Sequence, residues 1–304
     1  MTNIIINSDL TKKIFSFLET SNSLKFLDPS IFETIDKYKE NNDIDFNNYY
    51  LEYISGLPKL DFKTVVKISR EIYKNYDKEQ DFDNILEKLV SNYCIGNGSL
   101  NPNDDNCITK AHESRVLLSG TYYDVVLLCH EIGHKLRYNN FTSNTDIMDD
   151  FFFETPSIIL ELAANDYLRN NYGVAIKADQ LRNDHVLSIK RNNSIDRNIF
   201  LTIIELLKKE RLNTVNLYNE LTKNQEIMEY LCKQNHSIEE CLAEVFLNYS
   251  YDIGYILGSY VISSDNKVDL LNMYLKYKDN GINMPFTISE SMIKSAFNPF
   301  RYTK

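Results

Sequence analysis

Residues 124–137 read DVVLLCHEIGHKLR. Val125, Val126, Leu127, Leu128, Ile132 and Leu136 leave a helix here almost no polar face, so the segment must lie inside the protein. His130 and His134 stand four residues apart, and residues at that spacing share a helical face, so both imidazoles can reach one metal ion. Glu131 points beside that ion. This is the H-E-x-x-H arrangement, in which two histidines bind Zn²⁺ and the glutamate accepts a proton from the water the metal activates. The competing reading is an ordinary buried helix that carries two histidines. Buried polar groups need partners, however, and a metal would be one. Gly133 costs about 1 kcal/mol against Ala inside a helix, which is tolerable if its missing side chain lets another element approach closely.

The chain of 304 residues is 43% hydrophobic and 25% charged, enough to bury a full core. With 9 Gly, 6 Pro and no repeating period, collagen-like, disordered and solenoid architectures are excluded. The formal net charge of −10 argues against nucleic acid as a partner, because such affinity comes from Lys and Arg displacing counterions from phosphates. The opening MTNIIINSDLTKKIF lacks the apolar centre of a signal peptide, and no run approaches the ~20 apolar residues that span a bilayer. The expectation is a cytoplasmic protein with no membrane partner, export by a route that reads other signals being left open. The five cysteines (Cys94, Cys107, Cys129, Cys232, Cys241) are odd in number and form no C-x-x-C pair, so neither a disulfide framework nor a cysteine zinc site is expected. Cys129 reads as a small buried apolar residue.

Most of the remaining chain carries a helical apolar period. DFKTVVKISREIYKNY (61–76) and RNIFLTIIELLKKERL (197–212) each show one broad stripe. Ser8 reads as the cap of a first helix, and Thr155 followed by Pro156 as a cap with proline at the first helical position. The main interruption runs from about Ile95 to Thr121, where GNGSLNPNDDNC gathers turn formers and ESRVLLSGTYYDVV has room for one or two short strands. The spacing predicts a mainly α protein with a small β element beside the HEIGH helix. It is read as one unit over 1–304, with an N-terminal helical lobe over 1–95 and a catalytic lobe over 96–304.

A catalytic zinc takes three protein ligands and keeps a fourth position for water. His112, His185 and His236 lie near no motif and read as surface or core histidines. FFFETPSIILELAANDYL (151–168) offers Glu154 and Glu161, seven residues or two helical turns apart. Either carboxylate can close the site.

HEIGH followed by ETPSIILE resembles the thimet oligopeptidase and oligoendopeptidase F family of zinc metallopeptidases. Members carry H-E-[FL]-G-H and then a segment similar to E-A-P-S-Q-x-x-E, which Glu154, Pro156, Ser157 and Glu161 match. The resemblance implies a helical, gluzincin-like peptidase fold. It also implies Glu154 as third zinc ligand and Glu161 as a residue behind the ligands that orients them. NYSYDIGYILGSY (248–260) is similar to the family's Y-D-x-x-Y region. By that likeness Tyr255, with Tyr251 less favoured, would donate its hydroxyl to the transition-state oxyanion; packing of an amphipathic helix is the plainer reading of both. The likeness runs from about Glu113 to Ser264 with a gap in the middle. Where the family usually has a histidine three residues after its motif, this chain has Arg137.

These readings predict a zinc metallopeptidase with one Zn²⁺ per chain that hydrolyses short peptides. A dedicated metalloprotease acting on one specific protein, exported into a host, is the alternative. An inactive metal-binding interaction module is a third reading, against which Glu131 counts.

Overall fold

The structure is a computed structural model and describes residues 29–39, 56–76, 82–90, 107–109, 114–116, 119–139, 154–174, 193–233, 238–276 and 288–296. It is mainly helical. In chain order the described elements are α1 (Pro29–Lys39), α2 (Phe62–Lys74), α3 (Phe82–Val90), β1 (Cys107–Thr109), β2 (Ser114–Val116), α4 (Tyr123–Asn139) and α5 (Thr155–Tyr172). They are followed by α6 (Asn193–Lys208), α7 (Thr214–Leu221), α8 (Gln225–Lys233), α9 (Ile238–Ile262), α10 (Lys267–Lys276) and α11 (Glu290–Ala296). No described helix is long and apolar enough to cross a membrane. Ser8, His112, His185, His236 and every cysteine but Cys129 fall outside the residues whose side chains are described.

Helix α5 is the centre of the packing, held between α4 on one side and α9 on the other. All its residues from Thr155 to Asn165 are buried, as is every residue of α4 from Tyr123 to Leu136. Helices buried on all sides need no amphipathic stripe, which is why this part of the sequence shows none. The two helices run antiparallel: Gly133 meets Ser157, His130 meets Glu161, and Tyr122 meets Tyr172. The close approach allowed by Gly133 is real. A Cβ there would lie 2.4 Å from Ser157 Cα and 2.7 Å from Ser157 N. On the opposite side Gly254 and Gly258 of α9, one turn apart, bring that helix against Ile158 and Leu162.

Helix ends follow local chemistry. Asp61 caps α2, its Oδ1 accepting from Thr64 N at 3.0 Å. Gly173, at φ 66°, closes α5 with its N–H bonded to Leu168 O. The apolar stripe of 197–212 suggests a helix to its end, but α6 stops at Lys208. There Glu210 takes φ 53° and Arg211 N reaches back to Leu206 O at 2.9 Å, which turns the chain while Leu206 and Leu207 stay buried.

The β element is an antiparallel pair in which Cys107, Ile108 and Thr109 face Val116, Arg115 and Ser114. It packs beside α4, as the spacing predicts. Strand β1 lies inside the stretch read as an interruption, a position its turn-rich neighbours conceal. Helix α2 packs against α4 and α5, and Phe32 on α1 stacks edge-on with Phe200 of α6 and Tyr249 of α9, centroids 4.6 and 4.9 Å away.

Candidate metal centre

Helix α4 is anchored at its start by Asp124. Its carboxylate accepts from Ser119 N and Oγ at 2.8 and 2.6 Å, from Gly120 N at 2.8 Å and from Thr121 N at 3.3 Å. Burial still holds the Asp124 carboxyl above the ordinary carboxylate range, against the pull of those donors. From this fixed start, two turns of helix carry His130, Glu131 and His134 into the interior.

Glu154 enters at the junction before α5, and here the sequence reading needs a correction. Thr155 is already the first helical residue and Pro156 the second, so the cap position belongs to Glu154, whose side chain makes no capping bond. A capping side chain contributes about 1 kcal/mol, and α5 forgoes it. The Glu154 carboxylate turns to the imidazoles instead: Oε2 lies 3.5 Å from His130 Nε2 and 3.3 Å from His134 Nε2, and the two Nε2 atoms are 3.0 Å apart.

His130, His134 and Glu154 thus offer three ligand atoms that converge from buried side chains. Ligands about 2.0–2.1 Å from a tetrahedral zinc stand roughly 3.3–3.4 Å from one another, and the three observed separations bracket that value. Atoms with lone pairs this close repel unless positive charge lies among them, as shared protons or as a metal cation. The residues present therefore fit a small divalent cation with nitrogen and oxygen preference.

Glu161 sits behind His130, with Oε2 2.8 Å from its Nδ1. With Glu161 ionised, its carboxylate can only accept, a state that puts the proton on Nδ1 and turns the lone pair of Nε2 to the centre. Glu131, the neighbour of His130, is 1% exposed. The structure thus brings five predicted residues together in the interior. Of the two tyrosines, Tyr255 is buried and Tyr251 half-buried. Their helix borders the ligand's own backbone, because a Cβ on Gly254 would meet the carbonyl carbon of Glu154 and the nitrogen of Thr155, each at 3.4 Å.

Cys129 is buried with its thiol pushed up to about 12, first by burial, with the charge of Glu161 adding to it. A protonated thiol is a poor metal ligand, in keeping with its reading as a packing residue. Four residues on the helices that carry or flank the centre went unread in the sequence: Lys135, Asp252, Gly254 and Gly258. Lys135 and Asp252 are buried charged residues, and Lys135 follows Glu131 by one helical turn, a spacing visible in the sequence. Gly254 and Gly258 show the small-x-x-x-small spacing of closely packed helices. The chain matches no protein-family model, no curated protein and no solved structure.

Proposed function

We propose that the protein is a zinc-dependent peptidase with a helical, gluzincin-like fold, and that its centre is the His130, His134 and Glu154 triad. The observation that carries this reading is the orientation of Glu154, whose carboxylate leaves the end of its own helix for two imidazole nitrogens at 3.3 and 3.5 Å. A residue that served only to start α5 would cap it.

A bound Zn²⁺ supplies Lewis acidity, polarising a carbonyl oxygen and lowering the pKa of a water towards ~7. The chain's own groups do the rest. Glu161 holds the His130 ring in one tautomer. Glu131, beside the ligands, takes the proton of the attacking water on its carboxylate and passes it to the departing amine. Tyr255, with Tyr251 the weaker candidate, donates its hydroxyl to the oxygen that becomes negative. Short peptides cleaved in the cytosol are the proposed substrates.

Zinc stoichiometry measured on the purified chain, together with cleavage of a quenched fluorescent peptide, tests the proposal. One zinc per chain and cleavage that a chelator stops and zinc restores are expected. A chain that takes up no metal, or a metal-loaded chain that cleaves no member of a peptide library, overturns it.

A further inference from the structure

The end of the α4 and α5 pair away from the imidazoles carries a second cluster, built of aromatic rings and one carboxylate. Tyr122 precedes α4, Tyr167 and Tyr172 come from the last turns of α5, and Glu71 comes from α2. The Tyr172 ring centroid lies 5.7 Å from that of Tyr122 and 6.3 Å from that of Tyr167. The Tyr167 hydroxyl donates to Glu71 Oε2 at 2.7 Å. Tyr172 is 42% exposed, while Glu71, Tyr122 and Tyr167 are half-buried.

Aromatic faces carry negative quadrupole density and the carboxylate a full negative charge, so both kinds of group in the cluster attract a cation. Among the described residues no Lys or Arg forms an ion pair with Glu71, and Arg169, close by on α5, is turned to Asp166 at 2.8 Å. The field of Glu71 registers on the phenols around it. Its hydrogen bond, then burial and its charge, hold Tyr167 up at about 12; burial and then the same charge raise Tyr172.

We propose that Glu71, Tyr122, Tyr167 and Tyr172 bind the arginine side chain of a peptide. The rings touch one another, leaving no room for an ion enclosed between them, so the site is an open face and not a box for a quaternary ammonium group. A guanidinium suits such a face. Its plane stacks on the exposed ring of Tyr172 while its N–H fork reaches the carboxylate, a combination a lysine ammonium cannot make.

The test uses the full chain, with ring-labelled tyrosine followed by NMR while N-acetyl-arginine methylamide is added, and the citrulline analogue as its uncharged isostere. Resonances among the 21 tyrosines are assigned with Y122F and Y172F. Saturable millimolar binding that shifts Tyr122 and Tyr172, survives a chelator and is absent with citrulline is expected, with at least fivefold weaker binding in E71Q. Y172A, at an exposed position that does not threaten folding, should also weaken it at least fivefold. Equal binding of citrulline, shifts confined to other tyrosines, loss of binding with chelator, or wild-type affinity in both E71Q and Y172A overturns the proposal.

Discussion

Gly133 and Ser157 are in backbone contact across the α4 and α5 interface, with 2.4 Å between a Cβ built on the glycine and the serine Cα. This contact fixes how near Glu154, three residues before Ser157, comes to the two histidines. The obstructing atoms are main chain, so no rotamer change relieves the clash. Gly133→Ala should destabilise the fold by ~3 kcal/mol, the upper end of overpacking effects. Gly254→Ala meets the tip of Ile158 at 2.7 Å, a flexible group, and should lose about 1–2 kcal/mol. Gly258→Ala meets side-chain methyls of Ile158 and Leu162 at 3.2 Å and Ile159 N at an ordinary 3.5 Å, and it gains up to about 1 kcal/mol of helix propensity, so it should lie within ~1 kcal/mol of wild type. Urea unfolding of the three variants checks the order, and a Gly133→Ala chain as stable as Gly258→Ala contradicts it.

Among the described residues Glu131 belongs to no ligand set, so its loss should separate chemistry from metal binding. Glu131→Gln should keep zinc at wild-type stoichiometry while kcat falls by roughly 10²–10⁴, the range for a lost general base. Elemental analysis beside a peptide-cleavage assay reads both, and an active variant refutes the base role.

The 2.8 Å bond between His130 Nδ1 and Glu161 sets the imidazole tautomer and strengthens its other nitrogen as a donor. Glu161→Ala should weaken zinc binding about 10–100-fold. Glu161→Gln, which keeps an acceptor oxygen, should recover part of that loss. Competition against a chromophoric chelator gives the affinities; unchanged affinity in Glu161→Ala would leave the bond without a role at the metal.

Asp124 gives a pH signature distinct from the metal centre. Its folded carboxyl titrates above the ordinary carboxylate range because burial outweighs its hydrogen bonds. Between the unfolded and folded values the folded chain binds more protons, so the stability this group contributes is greatest below ~4 and falls as pH rises through the raised value. Asp124→Asn lacks that titration. The stability of wild type minus that of Asp124→Asn should therefore decline with rising pH across the window, as read from urea midpoints. A difference that grows with pH would mean that the hydrogen bonds of Ser119, Gly120 and Thr121 outweigh burial.

What the sequence made legible were features with a period or a spacing. The histidines four apart, the acid downstream and the buried character of α4 all follow from side-chain geometry on one helix. The rest depends on partners distant along the chain. Whether Glu154 or Thr155 stands at the helix cap is a matter of one residue of register, and it is decided by the pull of imidazoles on another helix. The burial of Lys135 and Asp252 follows from helices packing on every side of α5, which a local pattern does not encode. The stop of α6 at Lys208 comes from a left-handed turn at Glu210, a residue with no special preference for it.

Glu154 arrives at the imidazoles only when α5 docks against Gly133. Helix α4 alone, as it leaves the ribosome, carries two histidines one turn apart and nothing to complete them. The three-ligand cluster is therefore a product of tertiary packing, absent from either helix taken alone.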